Sequence, residues 1–173
     1  SALIASKPDI IQNSLWGGDL EAYILQATPR GLLDKVPNIM TTGETVIERL
    51  NDQLVDGTIL GARGPNGPFA PDTTLNNWFK KKFKEDFDSS PVYSSYHMAT
   101  AILGTKAAWE KAQQENNNVR PTIDQVIDAF EYLEFESVSG LVKMTLGKGH
   151  QAVQHVPYGT VKKVNGKVTL TNI

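Results

Sequence analysis

Two short stretches of the sequence carry residue types suited to holding a small molecule. In Leu15-Trp16-Gly17-Gly18-Asp19 the glycines, Gly17 first, let a ligand approach the backbone closely, and Trp16 offers an apolar or cation-π wall. The second stretch, Met40-Thr41-Thr42-Gly43-Glu44, ends on an acid. Each stretch lies between a predicted strand and a predicted helix, where open parallel α/β sheets bind their ligands. For Trp16 the alternative is a core tryptophan beside a tight turn.

Residue types for catalysis or metal binding do not form a known pattern. The sequence has no cysteine, which excludes disulfides, thiol catalysis and cysteine-ligated zinc. His97, His150 and His155 have no third ligand at metal spacing. Gly147-Lys148-Gly149-His150 lacks the spacing and hydroxyl of a phosphate-binding loop, and no Gly-x-Ser-x-Gly elbow occurs. We therefore expect no catalytic residue, no metal and no cofactor, and hence no enzyme activity.

Composition argues against a nucleic acid or an anionic membrane as a partner. The 173 residues are 40% hydrophobic and 21% charged, with a net charge of -2. The run Lys80-Lys81-Lys82 is followed closely by acids and is typical of a solvated helix face. No apolar stretch approaches the ~20 residues that cross a bilayer. The sequence shows no signal peptide, which a mature exported protein would have lost.

The elements that must position the two loops alternate between strand and helix. Residues 9–15, 38–40 and 55–62 are predicted strands. A helix capped by Asp19 separates the first two, and a helix around 44–50 separates the last two. This alternation predicts a parallel sheet.

Residues 63–71 contain three prolines and two glycines, which predicts either a loop or a connection between lobes. Three helices are predicted after it: one capped by Asp72 or Thr73, one over about 91–113, and one that starts at Thr122 with a capping box. The predicted buried face of the third helix consists of Ile123, Val126, Ile127, Phe130 and Leu133.

From Gly140 onward the hydrophobic pattern changes to period two. Residues 141–144, 153–161 and 167–170 are predicted strands, and Asn165-Gly166 predicts a hairpin between the last two. About three parallel strands precede the helical block, too few for a sheet covered on both faces. Either the chain is half of a larger structure or it needs a partner to complete its core, and we expect the first.

Several short motifs occur in the same order as those of a known family. The motifs are Ala2-Leu3-Ile4-Ala5, Lys7-Pro8-Asp9-Ile10-Ile11, Gly17-Gly18-Asp19, Gln26-Ala27, Gly31-Leu32, Pro91, Tyr96-His97-Met98-Ala99, Ala107-Ala108, Lys111-Ala112, Ser139-Gly140-Leu141-Val142-Lys143-Met144 and Gly147-Lys148-Gly149-His150-Gln151. Together they resemble periplasmic binding proteins of the branched-chain amino-acid type, which have the class I Venus-flytrap fold. The resemblance rests on the order of these motifs, which is the same as in the family over nearly the whole chain.

The resemblance implies an incomplete two-lobed α/β fold, with parallel-sheet lobes flanked by helices and a C-terminal β-hairpin. It implies that residues 1–60 and 140–173 belong to lobe II and that residues 61–139 belong to lobe I. The implied function is the solute-binding component of an ABC importer, which closes about a hinge onto a solute in the interlobe cleft. The alternative is a ligand-sensing domain of a receptor or transcription regulator with the same fold.

The resemblance also implies partners and a location. The partners are a small solute (an amino acid, or an aromatic or other organic acid), the N-terminal half of the same protein, and an ABC permease in the membrane. The location is the periplasm, or the cell surface by secretion or a lipid anchor in a Gram-positive source. Amino-acid transport is therefore the expected process.

Seven residues are implied as ligand contacts: Trp16, Gly17, Thr42, Gly43, Glu44, Tyr93 and Tyr96. Trp16 aligns with an aromatic residue that lines the cleft in the family. In the family an acid holds the ligand ammonium, and this acid aligns with Glu44 or, in another alignment, with Thr42 or Gly43. Alternatively, Glu44 only stabilises the first turn of a helix. In that case an aromatic or carboxylate solute is favoured. Tyr93 and Tyr96 start a helix that faces the cleft in the family, and burial in the core explains them equally well.

Overall fold

The computed structural model describes residues 2–145 and 150–172. The chain divides into two compact units, Ser1–Phe69 with Val156–Ile173 and Ala70–His155. The predicted lobe boundaries after residues 60 and 139 stay a prediction. The segment Gly147-Lys148-Gly149 lies outside the described residues. Of the helices in the described ranges, none combines the length and apolarity of a membrane span.

The described residues form an α/β structure, as predicted. The helices are α1 Ala2–Ala5, α2 Gly17–Ala27, α3 Leu32–Lys35, α4 Thr74–Phe87, α5 Tyr93–Glu115 and α6 Ile123–Ala129. The strands are β1 Ile11–Asn13, β2 Asn38–Met40, β3 Ile59–Gly61, β4 Glu134–Ser137, β5 Gly140–Met144, β6 Ala152–Val153, β7 Tyr158–Val164 and β8 Lys167–Thr171.

The sheet of the first unit has the order β1-β2-β3-β7-β8. The first three strands pair in parallel, which confirms the predicted parallel sheet. β7 and β8 then continue the sheet antiparallel. Their turn is Asn165-Gly166, and both residues have positive φ (52° and 77°) as a tight hairpin turn requires, so the predicted hairpin is confirmed.

The core of the first unit lies between this sheet and α2. Leu20, Ile24 and Ala27 recur at helical spacing, and all three are buried. They pack with residues from the strands and loops, among them Ile11, Met40 and Leu60. The sheet is thereby held against the helix that follows the Trp16 loop.

The second unit contains α4 to α6 and the antiparallel sheet β4-β5-β6. Thr73 caps α4, and Thr122 with Gln125 forms the predicted capping box of α6. Small residues let α5 pack closely: a Cβ on Gly104 would lie 2.7 Å from Phe135 Cζ. Ala108 and Ala112 continue this buried stripe.

Some predicted elements are wrong. The helix expected around 44–50 is a short 3₁₀ helix, Gly43–Thr45, followed by turns; the β-branched run Thr45-Val46-Ile47 disfavours a regular helix. Residues 153–161 do not form one strand, because Pro157 cannot donate to a ladder and separates β6 from β7. Trp16, not Asp19, occupies the capping position of α2.

The buried face of α6, the third predicted helix, differs from the prediction. Ile123 is 78% exposed and Ile127 is also exposed, so the predicted buried face is wrong at these two positions. Strand β4 was not expected. Its residues Glu134–Ser137 alternate between exposed and less exposed positions as they pair with β5.

Candidate functional site

Three loops meet where the parallel strands of the first unit end. Because β1, β2 and β3 are parallel, their carboxyl ends lie at one edge of the sheet. We call residues 14–18, 41–44 and 62–63, which follow these ends, the carboxyl edge. The first two loops are joined directly: the Thr41 N–H donates to Asn13 O (3.1 Å), and Thr42 Oγ1 donates to Leu15 O (2.6 Å).

Trp16 is an exposed residue of this edge. Its side chain is 59% exposed, so it is not the core tryptophan that the alternative interpretation required. Its backbone is extended and immediately precedes α2. An aromatic ring at this position presents a large apolar face to solvent, which suits contact with a flat or apolar molecule.

The glycines of the edge serve two different purposes. Gly17 has a φ of +54°, a conformation that glycine adopts without strain, and a Cβ on Gly17 or Gly18 would meet nothing within 4 Å. The backbone there is open, as close approach of a ligand requires. At Gly43, by contrast, a Cβ would lie 2.7 Å from Leu60 Cδ2. Packing therefore accounts for Gly43.

Glu44 is buried and ion-paired. Its side chain is 2% exposed, and its Oε1 accepts a hydrogen bond of 2.8 Å from Arg63 Nε. Within the described residues Glu44 Oε2 has no hydrogen-bond partner. The Arg63 Cζ atom in turn lies 5.7 Å from the centroid of the Trp16 ring. Trp16, Glu44 and Arg63 therefore form one cluster, which we call the edge cluster.

Sequence reasoning missed Arg63, which it assigned only to the start of the Gly/Pro loop. Its position could have indicated a site residue. Arg63 lies two residues after the end of β3, and the other two loops of the site likewise follow strand ends. Thr42 joins the first two loops of the edge through its hydrogen bond to Leu15 O. The structure thus brings together the predicted residues Trp16, Gly17, Thr42, Gly43 and Glu44.

Tyr93 and Tyr96 lie in the second unit, at the start of α5. Tyr96 is fully buried, its hydroxyl donates to Asn76 Oδ1 (3.0 Å), and its ring contacts Phe79 edge-on. Tyr93 is half-buried and packs edge-on against His97, with 5.6 Å between ring centroids. Of the two, Tyr93 is the more exposed residue.

No metal site is present in the parts of the chain that the structure describes. In residues 2–145 and 150–172 no three His, Asp or Glu side chains lie close enough to hold an ion. The edge cluster contains one acid and one base, which neutralise each other. Its chemistry is that of binding by hydrogen bonds, charge and an aromatic face.

The sequence matches a family model described as "Periplasmic binding protein" over residues 1–167. Among curated proteins no sequence matches. A benzoate-bound solute-binding protein of an ABC transporter from Rhodopseudomonas palustris has a similar structure, with a TM-score of 0.70, 19% identity and coverage of 98% of this chain and 44% of that one.

Two further solved structures are similar. One is a solute-binding protein of an ABC transporter from Rhodopseudomonas palustris BisB5 in complex with 3,4-dihydroxybenzoic acid (TM-score 0.69, 20% identity, 96% of this chain and 44% of that chain). The other is the leucine-binding protein of Thermotoga maritima (TM-score 0.66, 18% identity, 98% and 45%). The chain thus spans less than half the length of these proteins. It belongs to the periplasmic binding protein family and has part of the class I fold found in solute-binding proteins of ABC transporters.

Proposed function

We propose that this chain is the C-terminal half of the extracytoplasmic solute-binding component of an ABC importer, and that it binds an amino acid or a similar small organic solute. The observation that carries the proposal is the carboxyl edge, where three strand ends bring an exposed tryptophan, open glycines and a charged pair together. Ligands of open parallel sheets bind at such edges. Family membership favours transport over catalysis.

The proposed contacts follow from exposure and hydrogen bonding. The Trp16 ring packs against the apolar or flat part of the solute, and the Gly17 backbone allows close approach. Thr42, Gly43 and Glu44 shape the second loop. Tyr93, a half-buried residue, is a further proposed contact. Tyr96 acts indirectly, because its buried hydroxyl is bonded to Asn76 and fixes the start of the helix that carries Tyr93.

The proposed mechanism is capture by closure of two lobes about a hinge. We assign residues 1–60 and 140–173 to lobe II and residues 61–139 to lobe I. The solute must bind the closed state more tightly than the open one, since otherwise it would not shift the population between them. The closed form is then presented to the membrane permease, from the periplasm or from a lipid anchor at the cell surface.

The remaining partner that we propose is the N-terminal half of the same protein. The chain covers only 44% to 45% of the solved relatives described above. In the second unit Trp78, Phe87 and Ile102 are exposed by 59%, 66% and 61%. Large apolar side chains in such number suit a surface that another segment covers.

Isothermal titration calorimetry with amino acids and aromatic acids tests the proposal. We expect the full-length gene product to bind a member of this panel, and the 173-residue chain to bind it at least about 10-fold more weakly, because each lobe supplies part of the contacts. Equal affinity of the two proteins would refute the two-lobe account. Failure of the full-length product to bind any member would refute solute binding from this panel.

A tryptophan pair provides the matched control. Arg63 Cζ lies 5.7 Å from the ring centroid of Trp16 at the carboxyl edge, and Arg120 Cζ lies 5.9 Å from the ring centroid of Trp109 in the second unit. In the full-length product we expect Trp16→Ala to weaken solute binding about 3- to 30-fold, the range of a cation-π or stacking contact. Trp109→Ala should leave the affinity within about 2-fold. An equal effect of both substitutions would contradict the proposed site.

A further inference from the structure

We propose that Asn165 is a site of spontaneous deamidation, and that the isoaspartate formed there loosens the hairpin of β7 and β8. The reaction needs no enzyme and does not depend on the solute site proposed above. Asparagine is a thermolabile residue, above all where glycine follows it, because no Cβ hinders the approach of the glycine nitrogen to the asparagine side chain. The structure determines which of two such dipeptides reacts.

Two Asn-Gly dipeptides occur in the sequence, Asn66-Gly67 and Asn165-Gly166. Both lie in the first unit, and both glycines have positive φ, of 53° and 77°. A Cβ on either glycine would meet nothing within 4 Å. The dipeptide and the space around its glycine therefore do not distinguish the two sites, whereas the surroundings of the two asparagines do.

The Asn66 side chain is held inside its loop. The residue is 2% exposed, and its Nδ2 donates to Gly64 O at 2.9 Å. The nitrogen that would leave as ammonia is therefore bonded to the loop, and water has little access to the carbon that would be attacked. Deamidation of Asn66 requires local opening of this loop.

Asn165, by contrast, lies in solvent. It occupies the turn between β7 and β8 and is exposed, as are Gly166 and Lys167. Water can therefore reach both the Asn165 amide and the Gly166 nitrogen. The hydrogen bond that Asn51 Nδ2 donates within this turn, at 3.0 Å, goes to Gly166 O, an atom that takes no part in the reaction.

The reaction joins these two residues and then separates them again. Hydroxide removes the proton from the Gly166 nitrogen, which attacks Asn165 Cγ; the Cγ–Nδ2 bond breaks, and Nδ2 takes up a proton and leaves as ammonia. Water opens the resulting succinimide ring. Addition of water at Cγ gives aspartate, and addition at the backbone carbonyl carbon gives isoaspartate, whose main chain runs through Cγ. In sum, one amide and one water give one carboxylic acid and one ammonia.

Isoaspartate changes the geometry of the turn. It adds a CH₂ group to the main chain between positions 165 and 166, whereas the register that pairs Val164 with Lys167 depends on a turn of two ordinary residues. The added length displaces Gly166 O from Asn51 Nδ2. Because Asn51 Oδ1 also accepts the bond of the Val168 N–H (2.7 Å), we expect this amide to lose protection from hydrogen exchange.

Peptide mass spectrometry of the full-length gene product, incubated in mildly alkaline buffer, tests the proposal. Exchange of NH₂ for OH increases the mass of the peptide that contains the reacting asparagine. In the folded protein we expect conversion at Asn165 to be at least about 10-fold faster than at Asn66, which reacts only from an opened loop. In urea, where neither asparagine is held, the two rates should agree within about 3-fold.

Three results would overturn the proposal. The first is faster conversion at Asn66 than at Asn165 in the folded protein. The second is an unmodified Asn165 in the folded protein after the same dipeptide has reacted fully in urea. The third is the same ratio of the two rates in both conditions, which would mean that the structure does not select the site.

Asn165→Gly is the matched variant. Gly-Gly also suits the positive φ angles of a tight hairpin turn, so this change removes the amide and keeps the fold, which a thermal melt checks. We expect no mass increase at position 165 and lasting protection of the Val168 amide, which the wild type loses as isoaspartate accumulates. Equal loss of protection in both proteins would show that isoaspartate does not loosen the hairpin.

Discussion

The Tyr96 hydroxyl donates a hydrogen bond to Asn76 Oδ1 over 3.0 Å, and both side chains are fully buried. Asn76 also donates from its backbone N–H to Thr73 Oγ1 (3.1 Å) and from its Nδ2 to Pro71 O (2.8 Å). One amide side chain thus joins the capping residue of α4, the loop before it and the first turn of α5. This network explains why a tyrosine occupies position 96.

Replacement of Tyr96 by phenylalanine tests that network. The change leaves Asn76 Oδ1 buried without this donor, and we expect the free energy of unfolding to fall by about 1–3 kcal/mol. Urea denaturation measures it. Tyr132→Phe, in the same unit but exposed, is the control and should change it by less than about 0.5 kcal/mol. A large loss of solute affinity without a loss of stability would instead make Tyr96 a ligand contact.

Gly43→Ala tests whether packing determines the residue at this position. Its new Cβ would lie 2.7 Å from Leu60 Cδ2 and 2.8 Å from Leu60 Cβ, in a buried region, so we expect a loss of about 1–3 kcal/mol in unfolding free energy. Gly18→Ala is the matched control, because its Cβ would meet nothing within 4 Å. It should be neutral or slightly stabilising. Comparable losses for both variants would contradict the packing argument.

Local sequence signals predicted much of the fold. The capping box at Thr122 and the Asn165-Gly166 turn depend on residues at most three positions apart, and both are confirmed. The three parallel strands followed from their alternation with helical and turn segments. For the same reason the two loops that follow β1 and β2 could be recognised as candidate site loops before their geometry was known.

Tertiary contacts explain what the sequence did not predict. Glu44 and Arg63 are 19 positions apart, and nothing local to either residue announces that they pair. Ile123 has the spacing of a buried residue yet is 78% exposed, because periodicity identifies an apolar face without identifying what covers it. Likewise a spacing of three could not distinguish the buried Tyr96 from the more exposed Tyr93.

Tyr23 gives the first unit a predicted sensitivity to alkaline pH. Burial raises the pKa of its phenol above the ordinary 10.0, because the charged phenolate is poorly solvated there. The folded state therefore holds this proton more tightly than the unfolded state does. The associated stability is complete below about pH 10 and is lost as the pH rises through the pKa of the folded state.

The measurement is urea unfolding of the wild type and Tyr23→Phe at about pH 8 and about pH 11. We expect the wild type to lose more unfolding free energy than the variant between the two pH values. At the lower pH the free energy of unfolding of the variant should be lower than that of the wild type by about 1 kcal/mol, since the variant lacks the 2.6 Å hydrogen bond to Asn38 Oδ1. Identical pH dependence of both proteins would show that Tyr23 does not cause the alkaline loss.

Asn51 connects two segments that are more than a hundred positions apart. Its Nδ2 donates to Gly166 O (3.0 Å), and its Oδ1 accepts from the Val168 N–H (2.7 Å), so one side chain ties the loop before β3 to the hairpin of β7 and β8. Asn51→Ala should lower the unfolding free energy by about 1–2 kcal/mol, because both bonds are lost together. It should also speed hydrogen exchange at the Val168 amide, since that amide then lacks its acceptor. Asn77→Ala, which loses one exposed bond of 2.7 Å to Asp72, should cost less than about 1 kcal/mol. Unchanged exchange at Val168 would mean that β8 keeps its place without Asn51.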